Sequence, residues 1–242
     1  MNNITLITGA GRGIGLEIAG VFAEHKKDLI LTVRNKKQIK HIKERIDNHK
    51  IKYKILIGDL TNINFIKKII KKVPYVDNLI HNASDENQKH FFQVQQNEFE
   101  RIVKINLKAN YFISQNYAKI MVKKKIRGNI INLSSQLGHT GAYNRSLYCM
   151  AKFAIEGLTK SMAMDLGKYG IRVNSVSPTK TIIDNKEIKN KKKLNIIKNK
   201  IPLGKFSTTN EIANIVYFLT TKNANSITGT SIISDGGWTA GK

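Results

Sequence analysis

The sequence predicts an α/β protein built on a doubly wound, seven-stranded parallel sheet with helices on both faces. Short apolar, β-branched runs alternate with longer segments of helical periodicity from one end to the other. That alternation implies parallel strands joined by right-handed crossovers. A glycine cluster marks the first strand-to-helix junction. The 242 residues, 41% of them hydrophobic, suffice for one large core. With no internal repeat and no Pro/Gly/Ser-rich linker, residues 1–242 read as a single domain.

Residues 4–8 form the first strand, and 13–25 a helix with Ile14, Ile18, Val21 and Phe22 on one face. Strand 29–33 leads to helix 36–48. Strands 53–57 and 78–82 flank helix 62–72. A long helix covers 96–121, followed by strand 128–133 and a second long helix at 147–169. Strands 171–177 and 230–234 complete the sheet. One segment breaks the rhythm: residues 185–205 hold eight lysines and one acid. In such a sheet, ligands sit beyond the carboxyl ends of the strands.

Charge raises a second question. The 41 Lys and Arg against 17 Asp and Glu give a formal charge of +24, which puts nucleic-acid binding among the candidates. Yet only seven of the basic residues are Arg, while Lys, Ile and Asn are abundant throughout. All three have codons made only of A and T, so an AT-rich genome gives this composition without selection for binding. Basic residues are also not interleaved with aromatics that would stack bases. Cys149, the one cysteine, excludes a disulfide scaffold and reads as a small buried residue. No apolar run reaches the roughly 18–20 residues of a membrane span, and the N-terminus lacks a signal pattern, so a soluble cytoplasmic protein is expected. Six histidines show no metal-ligand spacing; His81 and His139 fall near the expected cleft, where packing competes with substrate contact.

After the first strand come Thr8, Gly9, Ala10, Gly11, Arg12, Gly13, Ile14 and Gly15. A turn at this junction lets backbone approach a pyrophosphate that Cβ atoms would block. Gly9, Gly13 and Gly15 give the spacing G-x-x-x-G-x-G rather than G-x-G-x-x-G. At the end of the second strand, an acid would bind adenosine ribose hydroxyls and repel a 2′-phosphate. Here that strand ends Thr32, Val33, Arg34. Arg34, with Arg12 from the glycine turn, favours NADP(H) over NAD(H), the other reading being two solvated surface residues.

Tyr148 and Lys152 stand four residues apart, on one face of the second long helix. They form a sensible acid–base pair, because an adjacent cation moves a phenol from about 10 towards working pH. Ser135 follows the fifth strand, at the edge where a ligand would lie.

With these residues the chain resembles the short-chain dehydrogenase/reductase family, and within it the 3-oxoacyl-(acyl-carrier-protein) reductase-like members. Further motifs carry the resemblance: Asp59-Leu60-Thr61, Asn82-Ala83, Asn106, Ser134-Ser135, the run from Ile171 to Pro178, Ile227-Thr228-Gly229 and Asp235-Gly236-Gly237. The resemblance implies a Rossmann fold in which Asp59 hydrogen-bonds the adenine, Leu60 lies beside it, and Asn82 and Ala83 line the cofactor cleft. Ser135 would hold the substrate carbonyl and Tyr148 would donate a proton as hydride arrives from the nicotinamide. Lys152 would bind the ribose and lower the Tyr148 pKa, and Asn106 would hold a proton-relaying water. The chemistry needs no metal.

The chain departs from the family pattern at Ser84, where Gly is usual, and at Thr179 after Pro178. Ile183 stands where a Thr is common, so Thr181 is the substitute for the carboxamide contact. Relatives with a Ser-Gln-x-Gly-His lead-in, matched by 135–139, include oxidoreductases of other ketones and sugar alcohols. Trp238 reads as core or interface packing. The resemblance places a substrate lid at about 181–205, with lysines at 189 and 191–193, either a solvated face or an electropositive surface for an anionic substrate. An acidic acyl carrier protein would fit, and residues 123–125 with Arg127 would extend the patch. The implied activity is NADPH-dependent reduction of a ketone, foremost a 3-oxoacyl thioester. The alternatives are a sugar, polyol or other secondary-alcohol dehydrogenase, and a nucleic-acid-binding protein on a reductase fold. A homotetramer packed through 96–121 and 147–169 is also implied.

Overall fold

The computed structural model describes residues 3–181 and 191–241. Seven strands, β1 (Ile4–Ile7), β2 (Asp28–Val33), β3 (Tyr53–Ile57), β4 (Asn78–His81), β5 (Asn129–Leu133), β6 (Arg172–Pro178) and β7 (Ser231–Ser234), form one sheet. Every pairing is parallel, in the order β3-β2-β1-β4-β5-β6-β7. The chain winds outward from β1 to β3 and then returns to lay β4 on the other side of β1, with Thr5 opposite Asn78 and Ile7 opposite Ile80. Crossovers leave the ends of β1 and β4 in opposite directions, which opens a crevice above them.

Both faces of the sheet are covered, so the strands are apolar at successive positions instead of alternating with polar residues. Ile7, Ile80, Ile131 and Val176 face one core, with Ile18, Phe22, Ile212 and Val216. Leu6, Leu79, Ile130 and Val173 face the other, with Phe65, Ile69, Ile113 and Tyr117. The first core packs α1 (Gly13–Glu24) and α2 (Gln38–Ile46); the second packs α3 (Ile63–Lys72).

The helix expected at 96–121 is three pieces in continuous register: α4 (Gln96–Ile102), a π-helical turn at Val103–Lys108, and α5 (Ala109–Lys123). The wider turn buries Asn106 beside Ile105, where uniform helical periodicity would not require a polar residue. Helix α6 (Ser146–Leu166) ends in a 3₁₀ turn at Gly167–Tyr169, so the expected helix 147–169 is slightly tightened at its end. The last helices are α7 (Lys191–Lys198) and α8 (Thr209–Thr220). The expected lid at 181–205 lies partly outside the described residues, and its lysine side chains at 189–193 lie outside them.

Helix α8 was not anticipated, although its start is written as Thr-x-x-Glu. Thr208 Oγ1 accepts from the Glu211 amide at 3.1 Å, and Glu211 Oε2 accepts from the Thr208 amide at 2.8 Å. This reciprocal cap satisfies two backbone donors at the helix start. The helix it begins then supplies Ile212, Val216 and Leu219 to the first core. Thr208→Ala should lower unfolding free energy by about 1 kcal/mol, read as a lower urea midpoint at unchanged slope.

Candidate active site

The glycine turn is fastened to the end of β4. Thr8 Oγ1 accepts from the amides of Asn82 and Ala83, both at 3.1 Å. Asn82 Nδ2 donates to the carbonyls of Thr8 at 3.1 Å and Gly9 at 2.9 Å. Gly9 has φ +67°, and a Cβ there would lie 2.9 Å from Ala83 Cα. At Gly15 a Cβ would lie 2.3 Å from Asn82 Nδ2. Both positions therefore need glycine, one for conformation and contact and the other for contact alone. Gly11 leaves its space to the Gln38 side chain.

The start of α1 is open to an anion: its first turn holds no acid and no side chain caps it. Unpaired amides and the helix dipole favour negative charge at such an end. Arg12 precedes that turn with extended backbone and an exposed side chain. Arg34 is exposed at the end of β2, and Gln38 Oε1 accepts from its amide at 3.0 Å. The Gly9 amide donates to Thr32 Oγ1 and the Ala10 amide to the Thr32 carbonyl, which ties the two strand ends together. Asp59 is exposed, its carboxylate accepting from the Thr61 amide at 2.8 Å. Leu60 instead turns into the second core, so only its main chain is left for a ligand.

Across the crevice, the strand β5 and helix α6 bring Ser135, Tyr148 and Lys152 to one cleft of about 320 Å³, lined also by Ile14, Asn82 and Pro178. Ser135 lies within reach of the Tyr148 phenol in this lining. Lys152 is 3% exposed, its ammonium donates to the Leu133 carbonyl at 2.7 Å, and it lies 5.4 Å from the Tyr148 ring centroid. The expected lowering of the Tyr148 pKa is reversed: burial pushes the phenol up to about 12, against the opposing effect of Ser135. The physical reason is that the phenol is shielded from water while the ammonium is directed at a backbone carbonyl. Burial also pushes Lys152 down to about 8, with Glu156 opposing.

Asn106 does not present a free amide. Its Oδ1 accepts from the Asp85 amide at 2.9 Å and its Nδ2 donates to the Asp85 carbonyl at 2.8 Å. The side chain fastens the loop after β4 to the π turn, so both ends of the amide expected to hold a water are engaged by Asp85. Arg145 was missed by sequence reasoning. It lines the cleft and donates to Glu86 at 2.8 Å and Gln88 at 3.2 Å, fixing the same loop near Tyr148. Its position three residues before Tyr148, on the adjoining helical turn, was the available signal.

Ser84 is exposed and its side chain is accommodated at the cleft lining. Thr181 lines the cleft too, but its hydroxyl donates to the Thr179 carbonyl at 3.2 Å. Two buried atoms facing no protein partner, Gln136 Oε1 and Thr179 Oγ1, belong to residues of this lining. His81 is not a cleft residue: it is buried against Ser114 at 2.8 Å, and burial pushes its pKa down to about 3. Nor does His139 line the cleft; it meets Ser177 and Ser231 behind it. Cys149 is half-buried rather than buried, because its helix face is only partly covered. Among the described residues, no cluster of His, Cys, Asp or Glu could hold a metal ion, and no helix is long and apolar enough to cross a membrane.

These features fit a nicotinamide dinucleotide: an open helix start for the pyrophosphate, a cation before α1 and another at the end of β2, and unpartnered polar atoms near the acid–base groups. The family model described as enoyl-(acyl carrier protein) reductase matches residues 9–239. The 3-oxoacyl-(acyl-carrier-protein) reductase of Rickettsia felis is 33% identical over 233 residues, covering 96% of this chain and 95% of the relative. An L-xylulose reductase of Caenorhabditis elegans is 31% identical over 240 residues, covering 96% and 94%. Among solved structures, a 4-hydroxyisoleucine dehydrogenase complexed with NADH superposes with TM-score 0.92 and 31% identity over 100% of both chains.

Gly15→Ala should leave a folded protein whose affinity for a nicotinamide dinucleotide falls by roughly tenfold or more, since the Asn82 clasp must shift. Titration of dinucleotide fluorescence checks it, and unchanged affinity would contradict the clasp.

Proposed function

The chain belongs to the short-chain dehydrogenase/reductase family and is an oxidoreductase of CH–OH and C=O groups, and we propose that it reduces a ketone with NADPH, foremost a 3-oxoacyl thioester on an acyl carrier protein or coenzyme A. The observation carrying this reading is the convergence of Ser135, the Tyr148 phenol and the Lys152 ammonium on one wall of the cleft.

Arg12 and Arg34 would hold the 2′-phosphate, and Gly11, Gly13 and the start of α1 the pyrophosphate. Asp59 and the Leu60 main chain would flank the adenine; Ile14, Asn82, Ala83, Pro178 and Thr181 would flank the nicotinamide half. The bound dinucleotide supplies hydride to the carbonyl carbon. Ser135 orients the carbonyl oxygen by donating a hydrogen bond. Tyr148, protonated at neutral pH, gives its proton to that oxygen as negative charge develops. The phenolate left behind is stabilised by the Ser135 hydroxyl and the Lys152 cation. Arg145 and Glu86, paired at the cleft mouth, keep the loop after β4 in place around the substrate. The lysine-rich sequence at about 181–205 is the proposed contact for an acidic carrier.

A second reading, a sugar- or polyol-type ketone, is favoured by one feature. Gln136 follows Ser135 in the lining, and its amide oxygen is an acceptor without a protein partner. A hydroxylated substrate would satisfy it and a plain acyl chain would not. For self-association, exposed Tyr111, Phe112 and Met164 on α5 and α6 support the proposed homotetramer, which light scattering would test.

Initial rates of NADPH oxidation against acetoacetyl thioesters, diketones and sugars decide between the readings. The thioester should lead by roughly tenfold or more in kcat/KM, equivalent to about 1.4 kcal/mol; a sugar in the lead would select the second. Tyr148→Phe should lower kcat on the order of 10³-fold while NADPH binding persists. Substantial residual turnover would refute its role as the acid. Arg34→Ala should raise KM for NADPH by roughly 10-fold or more and leave that for NADH nearly unchanged, since a charge-assisted hydrogen bond is lost. Equal changes for both dinucleotides would reject the 2′-phosphate assignment.

A further inference from the structure

One turn beyond Lys152 on α6 lies Glu156, a carboxylate that the proposed reaction does not use. It is 7% exposed. Ser175 Oγ donates to its Oε2 at 2.6 Å, and Ser177 Oγ to its Oε1 at 2.8 Å. Ser231 Oγ also reaches Oε1, at 3.3 Å, and His139 Nε2 lies 3.3 Å from the same oxygen. These partners arrive from β6, β7 and the turn after Ser135, so three separate elements converge on one side chain. A neutral carboxyl would bring a hydrogen of its own into a ring of groups able to donate, whereas an ionised one accepts from all of them. The collar is built for an anion.

The same carboxylate stands one helical turn from Lys152. Residues four apart on a helix share a face, and the turn after Ser135 presses on both. A Cβ at Gly138 would lie 3.0 Å from the Lys152 carbonyl oxygen and 3.2 Å from Glu156 Cγ. The charged and titratable groups around this centre are Tyr148 and Arg145 on α6, His139 on the turn, and Glu86 on the loop after β4. Glu86 and Arg145 engage each other at 2.8 Å at the cleft mouth. Among the described residues, Glu156 is the carboxylate whose charge opposes the effect of burial on Lys152.

We propose that Glu156 is a positioning residue whose buried negative charge keeps the Lys152 ammonium protonated while the enzyme works, with His139 and three serines holding that charge in place. The inference rests on the reading of Lys152 as a catalytic cation. Burial acts on Lys152 in the opposite direction and already brings it to about 8. Removing the one opposing carboxylate would let the amine lose its proton inside the neutral range. A neutral amine would no longer stabilise the Tyr148 phenolate.

Protein carrying ¹³C at the lysine ε-carbons provides a test that needs no turnover, with the Lys152 signal identified by its loss in Lys152→Arg. In the unaltered protein that signal should titrate near 8. In Glu156→Gln, where each serine hydroxyl can reverse to satisfy the amide, the midpoint should fall by about one unit or more. The alkaline limb of ketone reduction should move down with it, while the unfolding midpoint stays close to that of the parent. A Lys152 midpoint within about 0.3 unit of the parent in folded Glu156→Gln would overturn the proposal. Should that variant not fold, Glu156→Leu combined with Ser175→Ala and Ser177→Ala removes the charge and two donors together, and the same shift is required. Because the titration is read without substrate, a failed substrate panel leaves the result intact, and an unmoved midpoint leaves the substrate reading intact.

Discussion

An ammonium held out of water governs the arrangement of this molecule. Lys152 is buried where α6 packs on the sheet, and its ammonium donates to the Leu133 carbonyl at the end of β5. Desolvating such a charge costs several kcal/mol unless hydrogen bonds and an opposite charge compensate. The Leu133 carbonyl supplies the first, and the charge of Glu156, one helical turn away, is the proposed source of the second. The serines of β6 and β7 are thereby drawn into the same cluster, so polar residues occupy strand positions that would otherwise be apolar core. The sheet is organised around this centre as much as around its two hydrophobic faces.

The cleft has two walls with different physics. One is made of backbone: the glycine turn, the start of α1 and the Asn82 clasp present amides and empty space to a ligand with phosphate groups. The other is made of side chains whose protonation matters, and there burial sets the terms. Tyr148 keeps its proton because it is shielded, and Lys152 is close to losing its own for the same reason. Reduction suits this balance, since it begins with a protonated phenol and ends with a phenolate that the neighbouring cation can stabilise.

Most of the fold was legible because strands buried on both faces leave continuous β-branched runs, and because amphipathic helices carry a 3.6-residue period. The glycine turn and Ser135 were legible as motifs at strand ends, and Tyr148 and Lys152 as a four-residue spacing on a helix; the structure brings them to one crevice. What was hidden depends on long-range contact. Glu156 looks like any surface glutamate until β6 and β7 fold over it, and His139 looks like a cleft residue until it turns to Ser177. Asn106 gave no hint that both ends of its amide are claimed by Asp85. The direction of the Tyr148 shift was misjudged because sequence shows a cation four residues away but not where its ammonium points. Helix α8 is written locally as well, in the reciprocal cap that Thr208 and Glu211 form at its start.

The strand order has a consequence for how the molecule comes into being. Every backbone contact of the phosphate-facing wall lies within the first 83 residues, from Thr8 to Ala83. The proton donor and its lysine emerge from synthesis much later, and Ser231 of β7 joins the Glu156 collar only near the end of the chain. In the order of synthesis, every residue of that clasp thus precedes Tyr148 and Lys152. Completion of the last strand is the step that adds Ser231 to the donors around the Glu156 carboxylate.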